Sequence, residues 1–167
     1  MRLFSGKIGA LSDELVKALV DAKHIECESN REVAKDLEAI FTSYMGTERE
    51  IVERAKEMSR DRPAEFGRLK KLLADEKKIK IGDDMFDYLL DQLIEMLMHS
   101  NNVEEVFAED HVLRKTMRTV LRKYLVMDEA LDTEVRGKLK HVEEGSRLWE
   151  VEYQRVMSDI EKRRRLS

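Results

Sequence analysis

Displaced along itself by 78 positions, the chain lays apolar residue on apolar residue: Leu11 meets Leu89, Leu15 meets Leu93, Val16 meets Ile94 and Leu19 meets Leu97. Two extra residues near Phe107 take the offset to 80, and the register resumes: Val33 on Leu113, Leu37 on Met117, Phe41 on Leu121, Tyr44 on Tyr124, Ile51 on Leu131 and Ala55 on Val135. Few of these pairs are identities. What persists is apolar character at helical spacing, which is what a duplicated core retains. The pattern predicts an all-α protein of two tandem related helical units, residues 1–78 and 79–167. With about four helices each, the units would form a compact or bilobed helical bundle.

The spacing predicts a first helix over 6–23, with Ile8, Leu11, Leu15, Val16, Leu19 and Val20 on one side. Ser29 followed by Glu32 is a capping box for a second helix, and Gly46 reads as its stop. Thr47 and Glu50 repeat the capping pattern and open a short third helix through Ile51, Ala55 and Met58. Beyond the break at Arg60 to Pro63, Phe66, Leu69, Leu72 and Leu73 mark a fourth. Ile79 to Gly82 reads as extended chain; Asp83 and Asp110 are placed to cap the fifth and sixth helices. Leu131, Val135 and Leu139 mark a seventh. Gly145 and Ser146 open an eighth, with Trp149, Tyr153, Val156 and Ile160 along its inner face. One proline and seven glycines in 167 residues are too few turn formers for an all-β chain.

Lys and Arg number 31 against 35 Asp and Glu, so the net charge of −4 carries no overall basic excess of the kind nucleic-acid-binding domains show. The opening residues Met1 to Gly6 hold no apolar signal core. The densest apolar run, Met85 to Met98, is broken by Asp87, Asp91, Gln92 and Glu95, so no membrane segment and a cytoplasmic setting are expected. Cys27 is alone and reads as an unreactive thiol. Met85, Met96 and Met98 lie on or beside the fifth helix, and Tyr88 and Met96 widen its apolar arc, enough to bury it on two sides, against the other repeat or against a second copy in a homo-oligomer.

The sequence holds no glycine-rich phosphate loop, no HExxH, no paired cysteines and no nucleophile elbow. Asp21 and His24 come nearest to metal-ligand spacing, yet their repeat counterparts His99 and Asn102 do not preserve it. No catalytic residue, metal or cofactor is therefore expected.

The segment from Val142 to Tyr153, containing Gly145-Ser146-Arg147-Leu148-Trp149 and closing in Lys162-Arg163-Arg164-Arg165, resembles the C-terminal signature of a bacterial uncharacterised family, domain of unknown function 507. Met1-Arg2-Leu3 matches the beginning typical of that family, and the internal symmetry resembles a two-copy member. The first copy departs from the pattern: Arg62 to Phe66 stands there with no Gly-Ser-Arg. The resemblance implies a fold and a bacterial setting, and no activity.

The expected function is that of a non-catalytic, cytosolic interaction or scaffold protein with a protein partner. Its candidate partner-binding residues are Trp149, Tyr153, Lys162, Arg163, Arg164 and Arg165. The alternative is a nucleic-acid or ribosome-associated factor that uses the basic end of the last helix. A second alternative is an enzyme or small-ligand binder whose site no motif announces.

Overall fold

The computed structural model describes residues 3, 5–143 and 147–166. A 3-10 turn, Ser5–Lys7, leads into α1 (Ile8–Asp21), followed by β1 (Ile25–Glu26), α2 (Asn30–Met58), a 3-10 turn Pro63–Glu65 and α3 (Phe66–Glu76). A third such turn, Gly82–Asp84, opens α4 (Met85–His99), and then come β2 (Glu105–Val106), α5 (Asp110–Lys138) and α6 (Arg147–Leu166). The protein is all-α. The two strands form one short antiparallel bridge, with Ile25 opposite Val106 and Glu26 opposite Glu105.

Among the described residues, six α-helices stand where eight were expected. The second and third are one 29-residue helix, α2, and the sixth and seventh are one of equal length, α5. Gly46 does not stop α2. It sits exposed in the helix interior, where a Cβ would touch nothing, at a cost of about 1 kcal/mol that the surrounding packing outweighs. The buried stripe runs through it in phase, Phe41 and Tyr44 before and Ile51 and Ala55 after.

Ser29 caps α2 as expected, its Oγ accepting from the Glu32 N–H at 3.3 Å. Asp83 and Asp110 do not cap. The first lies in the 3-10 turn before α4, and the second is the first residue of α5 and meets Arg114 at 3.4 Å. Gly145 and Ser146 lie outside the described residues.

α1 and α3 end alike. Beyond α1, the Lys23 N–H donates to the Val20 carbonyl and the His24 N–H to that of Leu19; beyond α3, Lys78 donates to Asp75 and Ile79 to Ala74. This Schellman arrangement needs a left-handed residue, and both times it is a lysine, Lys23 at φ 59° and Lys78 at φ 57°. Each costs about 1 kcal/mol where glycine would cost little.

Packing divides the chain into two compact units, Leu3–Arg122 and Lys123–Ser167. The cut falls inside α5, whereas the sequence pattern places the expected boundary at 78/79. The cut reflects which segments bury surface together, which an offset between apolar patterns does not report.

In the first unit α2 is central, packed on α1, α3 and α4. Its core includes Leu15, Val16, Leu19, Leu37, Phe41, Leu89, Leu93 and Leu121, each with no exposed surface. Polar bonds close the unit crosswise. His24, after α1, meets Thr116 of α5 at 3.0 Å. Ser100 and Asn102, after α4, donate to Asp36 of α2 at 2.5 and 2.9 Å. Arg114 and Arg118 of α5 reach Asp91 and Asp87 of α4 at 2.7 and 3.7 Å. The Tyr44 phenol donates to the Lys80 carbonyl at 2.7 Å. Burial, and then the Glu48 carboxylate, push that phenol above its usual range and keep it a donor.

In the second unit Leu125, Leu131 and Val135 of α5 are buried, as are Leu139 just after it and Trp149, Tyr153, Val156, Met157 and Ile160 of α6. Both helices bury a single stripe, as a two-helix hairpin requires.

Candidate functional site

α6 carries the candidate residues, and its structure sorts them. Trp149 is 5% exposed and Tyr153 fully buried. Their rings lie 5.0 Å apart, and the Arg136 guanidinium sits over the Trp149 indole at 5.3 Å. Arg136 also pairs with Asp132 at 2.9 Å, and Asp132 accepts a short hydrogen bond from the Tyr153 hydroxyl. The two aromatics thus hold α6 from its inner side, through partners on α5 that no motif announced. Lys162 and Arg163 are exposed near the end of α6. Arg164 and Arg165 belong to the same helix, with their side chains outside those described.

The outward side of α6 carries what the sequence reading missed. Leu148 and Val151 are 61% and 59% exposed. At 3.6 residues per turn they fall with Lys162 inside an arc of about 60°. Arg155, on the same side, is held by Glu152 at 2.7 Å and Asp159 at 3.5 Å. The face therefore offers two uncovered apolar side chains at one end and cations at the other. Helical phase alone could have found it, because Leu148 and Val151 interleave with the inner stripe.

In the first unit, an open depression of about 680 Å³ runs beside the distal half of α2, lined by Arg49, Glu53, Arg54, Glu57 and Arg60 among others. Its lining mixes charges of both signs and contains no histidine or cysteine. Among the described residues, no group of three His, Cys, Asp or Glu side chains is placed to hold a metal ion. His24 is engaged with Thr116, and His99 Nδ1 with the Glu95 carbonyl at 2.8 Å. Among the described residues no helix is long and apolar enough to cross a membrane.

Cys27 is half-buried and its Sγ donates to Asn30 Oδ1 at 3.3 Å. Burial, and then the charge of Glu104, raise its thiol pKa. A raised pKa lowers the thiolate fraction at any given pH. Alkylation of Cys27 at mildly alkaline pH is therefore expected to run several-fold slower than that of a free thiol, to rise with pH, and to quicken on Glu104→Gln. Stopped-time labelling read by mass spectrometry checks this; a rate equal to the free thiol's contradicts it.

Among the described residues, continuous amphipathic helices and one two-residue bridge define an all-α protein. No curated protein matches the chain. The family model described as protein of unknown function (DUF507) matches residues 1–166, and the chain belongs to that family.

Proposed function

We propose that this chain is a non-catalytic interaction protein of the bacterial cytoplasm, built by duplication of one helical module, that docks a protein partner on the outward side of α6. The observation that carries the docking reading is the pairing of exposed Leu148 and Val151 with Lys162 and Arg163 along one helix. Apolar side chains at one end of a helix and cations toward the other fit a partner surface whose apolar patch is flanked by carboxylates. Trp149 and Tyr153 serve that surface from beneath by setting the helix that presents it.

The duplication reading draws support from matched lengths and crosswise bonds. α1 and α4 span 14 and 15 residues, and α2 and α5 span 29 each. His24 and Thr116 correspond, at offsets of 78 and 80, to Asn102 and Asp36, so one hydrogen bond is the counterpart of the other.

Cross-linked affinity purification from a native host tests the docking reading. The wild-type chain is compared with a Leu148→Glu, Val151→Glu variant of unchanged helical content. A partner retained by the first and lost by the second supports it. Identical captures from both, or a measured turnover, reject it.

A second reading, association with nucleic acid, is favoured by the exposed Lys162 and Arg163 at the helix end.

A further inference from the structure

Charge is segregated along the first unit in a way the net value hides. From 81 to 113 the sequence has nine Asp or Glu and no Lys or Arg; from 60 to 80 it has eight Lys or Arg and four Asp or Glu. The basic segment is α3 with its two bracketing turns. Two of its cations are engaged: Arg68 pairs with Glu65 at 2.5 Å, and Lys70 lies over the Phe66 ring at 5.2 Å. The other six, Arg60, Arg62, Lys71, Lys77, Lys78 and Lys80, are all exposed and have no ion-pair partner among the described residues. Arg60 and Arg62 precede the helix, Lys71 lies within it, and Lys77, Lys78 and Lys80 follow it, so the series spans the roughly 16 Å of α3.

We infer that α3 and its bracketing turns form a binding surface for the phosphate backbone of nucleic acid. This rests on the second functional reading and moves the contact from the end of α6 to the first unit. Along a duplex strand, about 3.4 Å of rise per phosphate places four or five phosphates beside such a helix. Backbone contacts by lysine and arginine position the chain without reading sequence. A lipid surface fits less well, because α3 spends its apolar side on the core: Leu69, Leu73 and Ala74 are buried, leaving Leu72 as its exposed large apolar residue. Lys78 adds a distinct observation. It is a cation held in the left-handed region, where glycine would relieve the backbone.

The test is fluorescence anisotropy of a short labelled RNA strand and its duplex with the full-length chain. Micromolar binding is expected at about 50 mM salt, with little dependence on sequence. For six contacts to a single strand, log K falls with log salt at a slope of about −4. Lys71→Glu with Lys77→Glu weakens binding at least tenfold. Lys78→Gly weakens it while raising the urea midpoint, so the loss cannot come from unfolding. Lys23→Gly raises the midpoint and leaves binding unchanged.

Neutralising Lys162, Arg163, Arg164 and Arg165 to Gln also leaves binding intact. If that variant alone abolishes binding, the inference fails and the second reading stands at the α6 end. Absence of wild-type binding at low salt, or binding indifferent to salt, overturns the inference. So does binding to anionic lipid vesicles in preference to RNA. So does salt-sensitive oligomerisation, abolished by Lys71→Glu with Lys77→Glu, which would assign these cations to the acidic run of a second copy.

Discussion

Replacing Phe41 by alanine is expected to remove about 3–5 kcal/mol of unfolding free energy, a large part of the roughly 5–15 kcal/mol that holds a domain of ordinary stability together. Phe41 has no exposed surface and sits in the middle of α2, the helix on which α1, α3 and α4 pack. Truncation removes the apolar ring and leaves a cavity that three neighbouring helices cannot all close at once. Leucine should be tolerated far better, at about 1–1.5 kcal/mol. Leucine keeps much of the apolar volume of the ring, and Leu121, which aligns with Phe41 at an offset of 80, is equally buried. Urea unfolding followed by helical circular dichroism separates the two variants. Equal losses for Leu and Ala would mean that the ring is not packed as described.

Much of this core could be read in advance because burial follows helical period, and period survives a change of residue. Leu37, Phe41, Leu93, Leu113 and Leu121 were all placed on inner faces and all are buried. Caps were read less well. Ser29 caps because a free helix start follows it, whereas the same pattern at Thr47 lies within a continuing stripe and is never used. Gly46 shows why: a propensity cost near 1 kcal/mol yields to the apolar contacts of the turns on either side. The division inside α5 could not be read, since compactness depends on which helices meet and periodicity reports only that each has a face to bury. The left-handed lysines also escaped notice, because glycine or asparagine is the usual signal there. Ser12 is equally illegible: it is fully buried, its hydroxyl has no hydrogen-bond partner among the described residues, and at an offset of 78 it aligns with an apolar residue, Leu90. On α6 the inner stripe of Trp149 and Tyr153 is legible from its period, whereas the outward Leu148 and Val151 lie off that stripe and belong to no motif.

Trp149→Ala should cost about 3–5 kcal/mol, and the loss should be local. The indole is buried against Tyr153 and beneath the Arg136 guanidinium, and it stands near the start of α6. Its removal takes away the largest side chain of a unit whose core is two helices thick, where no third helix of the same unit can compensate. Amide hydrogen exchange should therefore quicken across Arg147–Leu166 and the facing 131–138 turns, while α1 to α4 keep their protection. Trp149→Phe retains most of the packing and forfeits part of the cation–π contact, itself worth about 0.5–1 kcal/mol, so it should fall well short of the alanine loss. Protection lost evenly through α1–α4 would show that the two units unfold as one. Full protection in Trp149→Ala would instead assign the anchoring of α6 to the Tyr153–Asp132 bond and the aliphatic stripe of Val156, Met157 and Ile160. The docking proposal is tied to the same measurement, because Leu148 and Val151 can present one face only while α6 is held. A Trp149→Ala chain that loses α6 protection yet still retains the partner would therefore count against binding through that face.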